Sequence, residues 1–318
     1  MEYRTLGRTG LKVSALAYGG SSLGSAFRSI NEAEGIRSVH VALDHGINLI
    51  DTAPYYGATT AETVLGKALR TVSRDRYYLA TKVARYGAAM ADFDFSAGRV
   101  TRSVDESLSR LGVDYVDFIQ VHDMEFGDVD QIVNETIPAL QKIKAAGKAR
   151  FVGITCLPVP LFRRVLDRVG PNDVDQIQSY CHFCLNDTAL GDLLPYLEAR
   201  QLAIFNSAPL AMRLLSEDGP PGWHPAPALL REKCAAAAKF CRARGSDLAK
   251  LALQFSVSEK RIPTTILGTA NPANVEENIR TIAQPLDREL LAGVLAILEP
   301  VHNLTWPSGR AENNLAAD

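Results

Sequence analysis

The sequence predicts an α/β fold, a (β/α)8 barrel of the TIM type with an N-terminal β-hairpin and extra helices near its C-terminal end, and three observations predict it. Short apolar, often β-branched runs alternate with longer segments of helical period from one end to the other, the signature of parallel βαβ units. Eight such alternations fit into 318 residues, which favours a closed barrel over a doubly wound sheet. No Pro/Gly-rich linker divides the chain, so residues 1–318 read as one domain.

The elements follow in order. Tyr3 to Leu6, the turn Gly7-Arg8-Thr9-Gly10 and Leu11 to Val13 read as the hairpin, and Ala15 to Tyr18 as the first barrel strand. A helix starts at Asn31, where Asn31 and Glu34 form a capping-box variant; Ile36, Val39, His40 and Leu43 share one face before Gly46 stops it. The remaining strands are expected near Asn48 to Asp51, Tyr78 to Lys82, Tyr115 to His122, Ala149 to Thr155, Val174 to Ser179, Leu202 to Ser207 and Thr264 to Gly268. Between them the helical period predicts helices near Ala61 to Leu69, Arg99 to Leu111, Gln131 to Ala146, Pro160 to Val169, Leu190 to Arg200 and Leu229 to Arg244. Further helical patterns cover Asp247 to Ser258, Asn271 to Ile282 and Asp287 to Leu298, and Gly219 to Pro225 reads as a long loop after the seventh strand.

Composition narrows the function. Lys plus Arg at 34 against Asp plus Glu at 36 gives a net charge of -2, with no basic excess for nucleic acid. Apolar stretches break before the roughly 20 residues a spanning helix needs, and Met1-Glu2-Tyr3-Arg4 lacks an apolar signal core, so a cytoplasmic protein is expected. Five scattered cysteines read as buried thiols; Cys181 and Cys184 form a CxxC with no second pair to make a zinc site.

In such a barrel the chemistry sits at the strands' C-terminal ends. Asp51 ends the second strand, Lys82 the third and His122 the fourth, with Tyr56 in the loop five residues past Asp51. Singly, each has an ordinary explanation: a turn cap, a solvated charge, a hydrogen-bonded structural histidine. Together they predict a proton-transfer site, because a Lys ammonium favours phenolate and would lower the pKa of a Tyr hydroxyl. Asp51 would hold Lys82 charged, and an N–H of His122 would orient a substrate oxygen. A Schiff-base role for Lys82 is the rival, weakened by the carboxylate beside it. A metal-dependent hydrolase using His122, Asp123 and His182 has poor ligand spacing, and no metal is expected.

These residues resemble the aldo-keto reductases: Asp51-Thr52-Ala53-Pro54-Tyr55-Tyr56-Gly57 is similar to their DTAxxYG motif, Thr81-Lys82 to their strand-three lysine and Val121-His122 to their strand-four histidine. The resemblance runs from Leu6-Gly7-Arg8-Thr9-Gly10 to Glu277-Asn278 and implies a tetrad of Asp51, Tyr56, Lys82 and His122. Stretches outside the tetrad, among them Asp94-Phe95-Ser96, Ser179-Tyr180-Cys181-His182 and Asn303-Leu304-Thr305-Trp306-Pro307-Ser308-Gly309, resemble the subgroup that oxidises a free sugar at its anomeric carbon. What this implies is NAD-dependent oxidation of an aldose to its lactone, L-galactose first and as in ascorbate synthesis. Cys156 departs from that pattern and keeps L-fucose and D-arabinose as alternatives. A non-catalytic nucleotide-binding subunit of the same fold is the other alternative. Tyr55, His182, Trp223 and His224 are expected as sugar contacts.

The N-terminus lacks the GxGxxG of a Rossmann unit, so the cofactor is expected in the barrel's own phosphate place, the loops after strands seven and eight. These are Ser207-Ala208-Pro209-Leu210 and Gly268-Thr269-Ala270-Asn271-Pro272, where Asn271 as N-cap and Pro272 behind it would leave helix N–H groups for an anion. The resemblance implies Thr155 and Gln178 at the nicotinamide carboxamide, Ser207 to Leu210 (with Pro209) at the pyrophosphate, and Glu277 and Asn278 at the adenosine. Three departures stand out: Thr155-Cys156 replaces Ser-Asn, Ser207 replaces a stacking aromatic, and Gly268 and Asn274 replace the Lys and Arg that meet a 2′-phosphate. With no Lys or Arg between Gly268, Thr269 and Arg280, and with Glu276 and Glu277 present, NAD is expected over NADP.

Overall fold

In the computed structural model, which describes residues 1–25 and 29–315, the hairpin comes first. Strands β1 (Tyr3–Thr5) and β2 (Lys12–Ser14) pair antiparallel, Tyr3 opposite Ser14. A 3-10 turn over Gly7–Thr9 joins them, ending on Gly10 at φ 68. Leu6, Leu11 and Val13 then stop the bottom of the barrel, packing with Ala17, Leu49, Ala80, Phe118, Phe205 and Ile266. Burying such side chains stabilises by roughly 1.5–3 kcal/mol each.

Eight parallel strands close the barrel: β3 (Leu16–Gly19), β4 (Leu49–Asp51), β5 (Tyr78–Val83), β6 (Val116–Val121), β7 (Ala149–Cys156), β8 (Gln176–Tyr180), β9 (Ala203–Ser207) and β10 (Thr264–Gly268). β10 returns to β3, with Gly268 opposite Gly19. The order is that of the sequence, as the alternation predicts. β4 is short because Asn48 serves the hairpin instead: its Oδ1 accepts from Ser14 N at 2.8 Å and its Nδ2 donates to Lys12 O at 2.9 Å.

The helices ring the strands and bury their apolar stripes against them, Val39, Val64, Val104, Ile143, Phe162 and Leu194 among the buried contacts. Asn31 caps the first helix, accepting from Glu34 N as the spacing predicts. One expected helix, Gln131 to Ala146, differs. It starts at Val129, capped by Asp128, and widens to a π-turn over Ile132–Thr136 before Ile137–Ala145. Pro138 has no N–H for the regular ladder, which accounts for the wider turn. No described helix is long and apolar enough to cross a membrane.

Candidate active site

The ends of β4, β5 and β6 bring Asp51, Lys82 and His122 to one mouth, and the turn after β4 adds Tyr56. The register does this: Asp51 pairs with Ala80, and Lys82 with Gln120, so successive inward side chains rise into the same space. The Tyr56 turn is pinned by a close approach, since Gly57 at φ +62 lies so near Gly24 that a Cβ would sit 2.2 Å from Gly24 O.

Lys82 is 1% exposed, and its ammonium donates to both Asp51 oxygens, at 2.8 and 2.7 Å, and to Thr52 O at 2.8 Å. Asp51 also accepts from Gln120 Nε2 at 3.0 Å and Gln178 Nε2 at 3.4 Å. Desolvation would discharge Lys82, but Asp51 and Tyr56 outweigh it and raise its pKa. Its Nζ lies 5.0 Å from the Tyr56 ring centroid, and the His122 ring meets Tyr56 edge-on at 5.7 Å. Burial, joined by the Lys82 and Arg85 charges, holds His122 well below its ordinary value and therefore neutral. The expected lowering of Tyr56 is reversed: burial pushes its phenol up to about 12, with Lys82 opposing. The lysine's charge is legible in the sequence; the depth of the phenol is not.

This quartet floors a cavity of about 1470 Å³. Along one arm lie nine expected cofactor contacts: Thr155, Gln178, Ser207, Leu210, Gly268, Thr269, Asn274, Glu277 and Asn278. Pro209 is not among its lining residues. Gln178 Oε1 is buried and without a partner, an acceptor that suits an amide N–H. At Gly268 a Cβ would come within 2.9 Å of Gly19 O and 3.1 Å of Ser21 Oγ, which leaves this rim to bare backbone. The arm thus suits an extended dinucleotide. The helix Pro272–Ala283 departs from expectation: Asn271 Oδ1 takes Ala273 N at 2.9 Å and Asn271 O takes Asn274 N at 3.1 Å, so its first amides are already used. The basic residues absent from 268–279 arrive from elsewhere, since Lys250 and Arg213 line the same arm, but Glu277 holds Lys250 at 2.5 Å and Asp218 holds Arg213 at 3.0 Å.

The other arm carries residues that sequence reasoning missed. Arg85 lies 3.6 Å over the Tyr55 ring and bonds Asp123, while Phe126, Tyr180, Trp306 and Ser308 complete the wall. A cation three residues past Lys82 and the Trp306-Pro307-Ser308-Gly309 segment were the available signals. Tyr55 and Trp223 line the cavity, Trp223 at its exposed lip. His182 and His224 do not, a correction to their reading as sugar contacts. His182 is buried against Asp187, Nδ1 to Oδ2 3.0 Å. His224 Nε2 bonds Ala211 O at 3.0 Å while its Nδ1 accepts from Ala226 N at 3.1 Å. It braces a loop in which Ala208, Ala211, Met212 and Arg213 all have positive φ.

Among the described residues no three His, Cys, Asp or Glu side chains gather to hold a metal ion, and His122, Asp123 and His182 are not such a group. Cys181 and Cys184 are buried thiols raised by burial, with Cys184 Sγ donating to Cys181 O at 3.2 Å.

The Aldo/keto reductase family model matches residues 15–299. An L-galactose dehydrogenase of Arabidopsis thaliana is 50% identical over 98% of this chain and 99% of its own. A D-arabinose 1-dehydrogenase of Saccharomyces cerevisiae is 32% identical over 78% of this chain and 76% of its own. Among solved structures, the holo form of an aldo-keto reductase from Bacillus halodurans shares the fold, with a TM-score of 0.78 at 24% identity over 99% of this chain and all of that one. The chain belongs to the aldo/keto reductase family.

Proposed function

We propose, from that membership, that the protein oxidises a free aldose at C1 to its lactone with NAD, L-galactose to L-galactono-1,4-lactone first, with Tyr56 moving the proton. The buried Asp51, Lys82 and His122, with the half-buried Tyr56, at the floor of one cavity carry the reading. The 50% identity to L-galactose dehydrogenase supports the sugar. A second reading is oxidation of D-arabinose or L-fucose, and the yeast relative supports the first of these.

When bound, a nicotinamide dinucleotide supplies the acceptor for the C1 hydride. The chain's residues handle the proton. As C1 gives up its hydride, the anomeric hydroxyl gives its proton to Tyr56 Oη in the phenolate form, and the C1–O bond becomes the lactone carbonyl. Lys82, fixed by three acceptors, offsets part of the cost of that phenolate. Neutral His122 offers an N–H to the sugar oxygen without adding charge. Thr155 and Gln178 would hold the carboxamide end, the Ser207 to Leu210 loop the pyrophosphate, and Glu277 and Asn278 the adenosine. A 2′-phosphate needs an uncommitted cation, and the two that reach this arm, Lys250 and Arg213, are each matched to a carboxylate, which supports NAD.

Initial rates with L-galactose, L-fucose and D-arabinose, each with NAD and NADP, test the reading. Turnover of L-galactose with NAD supports it. Cofactor binding without turnover of any sugar would replace it with a nucleotide-binding subunit.

A further inference from the structure

The turn that follows His122 buries a carboxyl group that the proton chemistry does not use. Glu125 lies in the 3-10 turn Met124–Phe126 and is fully buried. Its Oε1 accepts from Tyr180 Oη at 3.0 Å, from Ser308 Oγ at 3.0 Å and from Leu157 N at 3.3 Å; Oε2 has no partner. Its backbone is engaged as well. Glu125 O accepts from Arg310 N at 2.8 Å and Asn313 Nδ2 at 3.0 Å, and Gly309 passes so close that a Cβ there would meet Glu125 O at 2.2 Å.

One residue thus clasps the segment 303–314 from both its main chain and its side chain. That segment carries Trp306 and Ser308 to the cavity, and Tyr180 lines it from β8. Both hydroxyl groups that Glu125 holds therefore belong to residues that line the cavity, and neither is bonded to Asp51 or Lys82. Burying a carboxyl with one oxygen unpaired costs free energy that packing alone does not require, and an apolar side chain would fill the space without that cost.

We propose that Glu125 is a positioning residue for the substrate: it fixes the Tyr180 and Ser308 hydroxyls and the Trp306 segment against the sugar, so that recognition of the aldose, and not proton transfer or cofactor binding, depends on it. The inference rests on the aldose reading above. Burial and the neighbouring Asp123 push the Glu125 carboxyl up to about 8, so at neutral pH it is mostly uncharged and a carboxamide is its close mimic.

The test compares Glu125→Leu with Glu125→Gln in the full chain. Leu removes the acceptor shared by Tyr180 and Ser308, and the aldose KM is expected to rise about tenfold or more with kcat changed less than about threefold and the NAD Kd unchanged. Gln keeps an acceptor in place and restores KM to within about twofold. Hydrogen exchange of residues 303–314 adds a measurement that needs no turnover: the segment opens about tenfold more readily in the Leu variant and not in the Gln variant. Should the Leu variant not fold, Tyr180→Phe and Ser308→Ala each remove one partner, and each raises KM about threefold. An unchanged KM in the Leu variant, or in both single-hydroxyl variants, overturns the proposal; so does a fall in kcat equal to the rise in KM, or a Gln variant as impaired as the Leu one. If the wild type oxidised none of the three sugars, the aldose reading would fail, while exchange would still decide the clasp.

Discussion

Two lysine–carboxylate pairs line this cavity, and distance does not separate them. Lys82 meets Asp51 at 2.7 Å and Lys250 meets Glu277 at 2.5 Å. Exposure does: the first pair's side chains are 1% and 3% exposed, the second pair's 48% and 41%. A buried pair is held by the cost of leaving either partner alone in a low dielectric, whereas an exposed pair is screened by water and salt. The floor of the site is therefore committed chemistry, and its rim is adjustable.

The sharpest way to break that contrast is to remove each lysine. Lys82→Met strands Asp51 as a buried unpaired charge, and about 3–5 kcal/mol of stability is expected to go with it. Lys250→Met should cost less than about 1 kcal/mol. Denaturant midpoints measure both, and equal losses would erase the distinction.

The next effect is kinetic. In the proposed reaction the Tyr56 phenolate takes the sugar's proton, and with its phenol at about 12 the phenolate fraction climbs with pH throughout the neutral and alkaline range. Oxidative kcat should therefore rise about tenfold per pH unit from about pH 7 upward, until chemistry ceases to limit or the fold gives way, with no plateau at the value of an ordinary tyrosine. A flat profile would show that the proton leaves by another route.

Glu125 offers a test of burial away from the floor. Its carboxyl is raised from 4.5 to about 8, so between those values the folded state holds a proton that the unfolded state has released. Stability must then fall as pH rises through that window, by up to a few kcal/mol, and the decline should vanish in Glu125→Gln. Asp123 beside it, Arg85 across Asp123, and Tyr180 and Cys156 share this environment, so the wild-type and Gln curves should be compared as a difference.

The smallest effect belongs to the rim. Glu277→Gln releases Lys250 and Arg280, which Glu277 holds at 2.5 and 2.9 Å. The ratio of NADP to NAD efficiency should rise about three- to tenfold, measured as kcat/KM for each cofactor.

What could be read in the sequence follows the same division. Asp51, Lys82 and His122 end consecutive strands, and a closed parallel barrel leaves such residues one place to go. Local register carries that information. Glu125 was not legible, because Ser308, 183 positions later, supplies part of its burial, and only the folded chain brings the two together. His182 and His224 show a different failure. Their ring chemistry suits a sugar, but whether a ring faces the cavity, a buried carboxylate or a backbone carbonyl depends on loop paths that residue type does not specify. The amides after Asn271 make the same point: the capping residue itself occupied the donors it was expected to expose.

The proposed proton route runs through the one phenol of the floor, Tyr56. The most direct test is Tyr56→Phe with L-galactose and NAD, since it deletes a single oxygen and leaves the Lys82–Asp51 pair intact. Turnover should fall about a thousandfold while NAD still binds within about twofold of the wild type. Turnover kept within about tenfold, with the cofactor bound equally well, would contradict the account.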